Sequence, residues 1–330
     1  MINYNPGAVY ASLAGPSNHV AGFFGAPNAA IITTVTSSFG SAMDVLSEVL
    51  ETLQLRCTKV ESLVVEDRCR AGPPPQQALA HVVLSGDCVL RIHGEQDATA
   101  LSPLDCFLLL GGQQYEIEVT PGATRTRVLR CAYSFERSLP HPFTQHFPAL
   151  LCLRSHYLTD DSELGRAVSL LDGELINARL AIDFVAVRLA EIILVELLRR
   201  CQLEGAQPAF LAALSDPAVH RALQHIHAEP EHHWQVPELA SRVGLSRAVF
   251  AERFHRQVGE PPLRYVRLWR LLKARRELQT TTMPIKELAR KSGYGSSTGF
   301  SRAFRRVFGY PPSYLRQPPT ESRTRTATSG

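Results

Sequence analysis

Between Pro237 and Gly259, and again between Ile285 and Gly309, one pattern of residue types occurs twice. Each copy runs Glu-Leu-Ala, then Gly with a large side chain, then Ser, then Phe-x-x-x-Phe, and leads into Gly-x-Pro-Pro. Phe250 and Phe254, and likewise Phe300, Phe304 and Phe308, fall four apart and stack on one buried stripe of a helix. The opposite stripe is then free. In the first copy it carries Arg247, Ala248, Ala251, Glu252 and His255; in the second it carries Ser297, Thr298, Ser301, Arg302 and Arg305. Guanidinium, hydroxyl and carboxylate groups on a short exposed helix face can donate to and accept from base-pair edges, and such a face fits the DNA major groove.

Those side chains need a helix, a sharp turn and a second helix to present them. Gly244 and Gly293 stand where a helix ends in the left-handed conformation that other residues adopt poorly. Ser246 and Ser296 are placed to cap the next helix. Between the copies, Pro261-Pro262 precede a helical pattern over Leu263–Leu278. That helix spans roughly 24 Å, enough to hold two reading heads about one DNA turn apart. Thr282 and Pro284 then open the next helix. The offset of about fifty residues makes a tandem pair and not a solenoid.

With 330 residues the chain has length for two domains, each with an ample core. The formal charge of +4 conceals an asymmetry. Residues 216–330 hold 20 Lys and Arg against 9 Asp and Glu, a balance of +11, and the remainder holds 15 against 22, a balance of −7. Basic charge concentrated on the helical half suits a phosphate backbone. All seven cysteines lie in the first 201 residues, without a C-x-x-C pair and in an odd number, which favours reduced thiols in a cytoplasmic protein.

Residues 216–316 resemble the DNA-binding domain of AraC/XylS-type transcription regulators. The second copy carries the resemblance most fully, from Gly293-Tyr294 through Phe300-Ser-Arg-Ala-Phe-Arg-Arg-Val-Phe-Gly-Tyr-Pro-Pro-Ser-Tyr-Leu-Arg316. Gly299 departs from it and weakens a helix interior by about 1 kcal/mol relative to Ala. The resemblance implies that the second helix of each copy reads bases. That points to Arg247, Ala248, Ala251 and Glu252 in the first copy, with Glu252 accepting from a cytosine amine. In the second it points to Ser297, Thr298, Ser301 and Arg302, with Arg302 on guanine. Arg270, Arg305 and Arg306 are assigned to phosphate. The implied function is a cytoplasmic regulator, more often an activator, that binds double-stranded promoter DNA and works with RNA polymerase.

The first half reads differently. Residues 1–42 contain no Asp, Glu, Lys or Arg, lack the basic start and apolar core of a secretory signal, and are expected to be a disordered extension. Asp44–Leu55 reads as a short amphipathic helix. Short β runs follow at Lys59–Val65, Ala80–Leu84, Cys88–His93, Phe107–Leu110, Tyr115–Val119 and Arg127–Phe135, with turn signals between them. Many short strands mean a sandwich or small barrel. Beside this DNA-binding domain they resemble the cupin-type regulatory domain of many family members, best at Val83-Leu-Ser-Gly-Asp-Cys-Val-Leu-Arg-Ile92. The expected fold class is therefore α+β and multidomain, a cupin-like β-barrel plus helices followed by an all-α tandem helix-turn-helix domain. The expected bounds are 43–201 for the regulatory and dimerisation domain, 202–215 for a linker, 216–317 for the DNA-binding domain and 318–330 for a disordered tail.

A cupin enzyme would gather several His and a Glu around a metal. His81 stands alone where a His-x-His pair is expected, because position 83 is Val, and neither a metal nor another cofactor is expected. His81 and Cys88 are assigned to an effector pocket for an unidentified small molecule. Cysteine oxidation at Cys69 or Cys88 is the alternative input, and a metalloenzyme with a DNA-binding appendage is the remote one. His225, His227, His232 and His233 lack ligand spacing and are expected at the surface. Helices are expected over Ser162–Leu171 and Leu175–Arg200. The second is too interrupted by Asp183, Arg188, Glu191 and Glu196 to cross a bilayer. Its apolar stripe, with Val185, Leu189 and Ile192, is assigned to homodimerisation as the family resemblance implies.

Overall fold

The structure, a computed structural model, describes residues 44–72, 77–110, 112–122, 125–135, 139–154, 162–203 and 209–316. The expected extension over 1–42 and the tail from 318 lie outside them. Helix α1 (Val45–Thr52) begins where Asp44 accepts a hydrogen bond from the Ser47 amide at 3.0 Å. Among the described residues nine strands follow: β1 (Arg56–Val65), β2 (Arg68–Ala71), β3 (Gln77–Ser85), β4 (Cys88–Ile92), β5 (Ala98–Leu101), β6 (Cys106–Leu110), β7 (Tyr115–Val119), β8 (Thr126–Ser134) and, after helix α2 (Pro142–Gln145), β9 (Leu150–Leu153). All pairings are antiparallel. They form one sheet in the order β1-β8-β3-β6-β9 and another in the order β2-β7-β4-β5.

The two sheets face each other as a cupin-like sandwich rather than closing into one continuous barrel. The inner strands β3 and β6 of the five-stranded sheet are buried on both faces. Leu79, Val83, Phe107, Leu109, Val128 and Ala132 point toward the smaller sheet and meet Leu90, Ile92 and Ile117. The alternate residues Ala78, Ala80, Val82, Leu108, Leu129 and Tyr133 point the other way, under a layer of helices. Double burial explains why β3 and β6 are runs of apolar residues and do not alternate with polar ones.

Helices α3 (Glu163–Asn177) and α4 (Ile182–Leu203) form that layer. The Tyr133 hydroxyl donates to the Ala190 carbonyl at 2.6 Å and fastens α4 to β8. The break between these helices falls at 178–181, later than the expected break at 172–174, because Ala178 and Ala181 take positive φ of 45° and 64°. None of the described helices is long and apolar enough to cross a membrane.

The remaining helices are α5 (Ala209–Ser215), α6 (Pro217–Ala228), α7 (Val236–Arg242), α8 (Arg247–Val258), α9 (Pro262–Thr280), α10 (Ile285–Lys291) and α11 (Ser297–Phe308), closed by a 3-10 turn over Pro312–Arg316. The stretch expected as a linker thus contains α5, whose Phe210, Leu211, Ala213 and Leu214 are buried. One continuous apolar core runs from the helix-facing side of the sandwich through α4 and α5 into Leu239, Phe250, Phe254, Tyr265 and Trp269. The last helix pair has its own core, with Leu271, Leu278, Leu288, Phe300 and Phe304. Helix α9 contributes to both.

Candidate nucleic-acid interface

Each reading head is built the same way. In the first, α7 ends at Gly244, the Leu245 amide returns to the Ala240 carbonyl at 2.9 Å, and Ser246 Oγ accepts from the Val249 amide to open α8. In the second, α10 ends at Gly293, the Tyr294 amide returns to the Ala289 carbonyl at 2.9 Å, and Ser296 Oγ accepts from the Gly299 amide at 3.1 Å to open α11. Gly293 has φ +74° and lies against the Arg270 guanidinium, so both backbone and space disfavour a side chain there. Phe250, Phe254, Phe300 and Phe304 are fully buried. That burial rotates the polar stripes outward.

Arg247, Ala248, Glu252 and His255 are exposed on α8, with Ala251 half-buried among them. Ser297, Thr298, Arg302, Arg305 and Arg306 are exposed on α11, with Ser301 half-buried. The charges are not equivalent. In the first head, Arg253 is held by Asp216 at 2.6 Å, Arg242 by Glu238 at 3.2 Å, and Arg256 lies 4.0 Å from Glu252. In the second head, none of Arg302, Arg305 and Arg306 has a carboxylate partner among the described residues.

Arg270, assigned to phosphate, is half-buried and engaged within the protein. Its Nε donates to the Pro230 carbonyl and its Nη2 to the His232 carbonyl at 2.7 Å, so the guanidinium braces the loop after α6. Burial pushes its pKa down. Lys286 and Arg290, which the sequence reading passed over, line a concavity of about 650 Å³ beside Ser296 and Ser297 at the start of α11. The available signal was their position on the helix before the cap, which crosses the backbone in helix-turn-helix docking.

Helix α9 is gripped from the amino-terminal side. His227 on α6 is buried, contrary to the expectation of a surface histidine, because its two ring nitrogens have partners in both domains. Nδ1 lies 3.0 Å from the Glu48 carboxylate of α1 and Nε2 lies 2.7 Å from the Tyr265 hydroxyl. Its ring stacks on Trp269 with centroids 3.8 Å apart. Burial lowers its pKa, and Glu48 opposes the shift. Arg276 meets Glu51 at 2.7 Å and Gln54 meets Gln279 at 3.0 Å along the same seam. Against the same aromatic rings of α9, His141 sits edge-on to Tyr265 and Trp269, and to Phe210 of α5. Burial, and then proximity to His227, pushes the His141 pKa down to about 3.

In the sandwich interior His81 is fully buried, stacked on Phe107 at 4.2 Å and hydrogen-bonded to the Tyr115 hydroxyl at 2.7 Å. Burial and the nearby Arg130 push its pKa down to about 3. Cys88 is also fully buried, and burial, Asp87 and Asp105 push its thiol up to about 11. Both side chains are therefore packed in the core, and neither lines the open space. That space is a concavity of about 520 Å³ at the sandwich mouth, lined by Arg70, Arg91, His93, Gln114, Tyr115 and Glu116 among others. Phe107 and Tyr115 give His81 no carboxylate or second imidazole, and among the described residues no three His, Cys, Asp or Glu side chains gather as metal ligands.

Comparison with known proteins places these features. The helix-turn-helix domain family matches residues 239–318, and the cupin family matches residues 44–202. An AraC-like transcription regulator of Streptomyces antibioticus is 31% identical over 304 residues, covering 84% of this chain and 99% of the relative. The transcriptional regulator AlkR of Acinetobacter baylyi is 42% identical over 109 residues, covering 33% of this chain and 36% of the relative. The DNA-binding domain of AdpA, solved with a target DNA, is 31% identical over 31% of this chain and 90% of that one, with a TM-score of 0.29. With a near full-length relative and both domain families matched, the chain belongs to the AraC-like transcription regulators, with a cupin amino-terminal domain and a DNA-binding helix-turn-helix domain.

Proposed function

We propose that the protein is a homodimeric, ligand-responsive activator that acts with RNA polymerase at promoters. The single observation that supports this most is the pair of outward-facing stripes on α8 and α11, joined by α9, which the amino-terminal domain grips through Glu48, Glu51 and His141. A ligand at the sandwich mouth has a short route to that grip. Tyr115 touches both the concavity and His81, and the sandwich core adjoins the helix layer that continues into the first head. Oxidation at Cys88 is disfavoured by its burial and raised thiol pKa.

Arg302 is the test of reading. Arg302→Ala is expected to weaken binding to a selected site by about 1–3 kcal/mol and to relax preference at one base pair, measured by titration against a panel of single-base variants. An equal loss on unrelated DNA would reduce Arg302 to a phosphate contact.

Dimerisation needs a different surface from the one assigned to Leu189. Leu189 is buried within its own protomer, because α4 seats that side on α3 and β1. On α3, α4 and the turn between them, the large apolar residues left exposed are Leu170 and Ile192 and, around the turn, Ile176, Leu180 and Phe184. Leu180 is 100% exposed and Phe184 61%. Single surface apolar residues are ordinary; this cluster is what a symmetric interface would cover. The double variant Leu180→Asp, Phe184→Glu is expected to raise the dimer dissociation constant at least about tenfold without changing the circular dichroism spectrum. An unchanged mass distribution in sedimentation would place the dimer contact elsewhere.

A further inference from the structure

We propose that the first reading head recognises thymine by its C5-methyl group, with Val249 as the contacting side chain and Ala248 and Ala251 beside it. This rests on the DNA reading proposed above. Val249 is 50% exposed, and among the described residues of α7, α8, α10 and α11 it is the one large apolar side chain standing in solvent. It lies in the first turn of α8, the part of a recognition helix that meets base edges. Valine can neither donate nor accept a hydrogen bond, and the thymine methyl is the one apolar group that the major groove presents. Its branched side chain has little rotamer freedom to lose on docking.

The repeat supplies an internal comparison. Aligning Ser246 with Ser296 sets Ala248 against Thr298, Val249 against Gly299 and Ala251 against Ser301. At these three positions the second head offers a hydroxyl or no side chain and the first a methyl-terminated one, whereas one residue earlier Arg247 stands against Ser297. The charges divide in the same sense. Residues 236–259 hold four Arg against two Glu, and residues 285–309 hold six Lys and Arg against one Glu. Glu252 and Arg256, 4.0 Å apart, further offset each other on the first head. The second head is thus equipped for phosphate and guanine, and the first for apolar contact with a thymine-bearing half-site.

The test uses the full chain and two random duplex pools, one made with thymine and one with uracil, which pairs identically but lacks the methyl group. Selection from the thymine pool is expected to enrich sites with a thymine in one half and a guanine in the other; in the uracil pool the first preference fades and the guanine persists. On a selected duplex, replacing that thymine by deoxyuridine is expected to weaken wild-type binding about fourfold, the effect of one buried methyl group. Val249→Ala, a conservative change on an exposed helix face, is expected to bind the two duplexes within about twofold of each other. Equal enrichment in both pools, or the same uracil penalty in Val249→Ala, would overturn the thymine assignment while leaving DNA reading intact. No enrichment in either pool would instead overturn DNA reading itself.

Discussion

Asp216→Ala is expected to destabilise the first reading head by about 2 kcal/mol, because one carboxylate both caps α6 and ion-pairs with α8. Asp216 Oδ1 accepts from the amides of Ala218 and Val219, at 3.0 and 3.2 Å, and so caps α6. Oδ2 accepts from Arg253 at 2.6 Å and from Gln257 at 3.2 Å, both on the inner side of α8. Only 7% of the residue is exposed. Losing the cap alone costs about 1 kcal/mol, and losing the ion pair adds a similar amount, because Arg253, 37% exposed, keeps access to water. Urea unfolding of the full chain checks the figure. Asp216→Asn keeps an acceptor for the amides and is expected to lose about half as much. A loss in Asp216→Ala of only about 1 kcal/mol would mean that the ion pair contributes nothing beyond the cap.

The pH dependence has a definite sign. Burial pushes the Asp216 carboxyl up, but the Arg253 hydrogen bond and the two amides outweigh it and hold the group below its ordinary value. A carboxyl with a depressed folded-state pKa contributes stability above its unfolded value, and that contribution is lost as pH falls through the folded one. The gap between wild type and Asp216→Ala is therefore expected to be flat from about pH 5 to 8 and to close below about pH 4. A gap that widened on acidification would assign the stability to another group.

What the sequence made legible was whatever depends on near neighbours. Ser246, Ser296 and Asp216 cap helices a few residues away, and the Phe stripes fix which face of α8 and α11 is buried. Those local rules place the residues assigned to base reading on outward stripes without any long-range information. Contacts across the chain left no such mark. Glu48 and His227 are 179 residues apart, and nothing near either announces the other. Arg270 looked free for phosphate because its partners, the carbonyls of Pro230 and His232, are backbone atoms forty residues upstream. The stripe on α4 was recognisably apolar, yet two apolar partners competed for it. The protomer's own sheet took Leu189 and left Ile192 outside. Edge strands β2, β5 and β9 have four residues each, too few to show a period.

Trp269→Ala is expected to cost about 4 kcal/mol, the upper part of the range for a buried large-to-small change. The indole is 1% exposed and forms a wall shared by both domains, with His227 stacked on one side and His141 edge-on. It also lies at the middle of α9, ahead of Leu271, where the core of the second head begins. Its neighbours His227 and His141, and Phe210 beside His141, come from separate elements of the continuous core and cannot all relax into one cavity, so little of the loss is recovered by collapse. Among the described residues the indole nitrogen has no hydrogen-bond partner, so Trp269→Phe removes volume but none of the described polar contacts and is expected to cost under about 2 kcal/mol. Denaturant unfolding of the two variants measures the difference directly. The functional consequence follows from the same wall. A slackened seat for α9 loosens the spacing of the two heads, so Trp269→Ala is expected to lose more affinity for a two-half-site duplex than for either half-site alone. Equal losses on all three duplexes would show that head spacing is set within α9 itself and owes nothing to the amino-terminal domain.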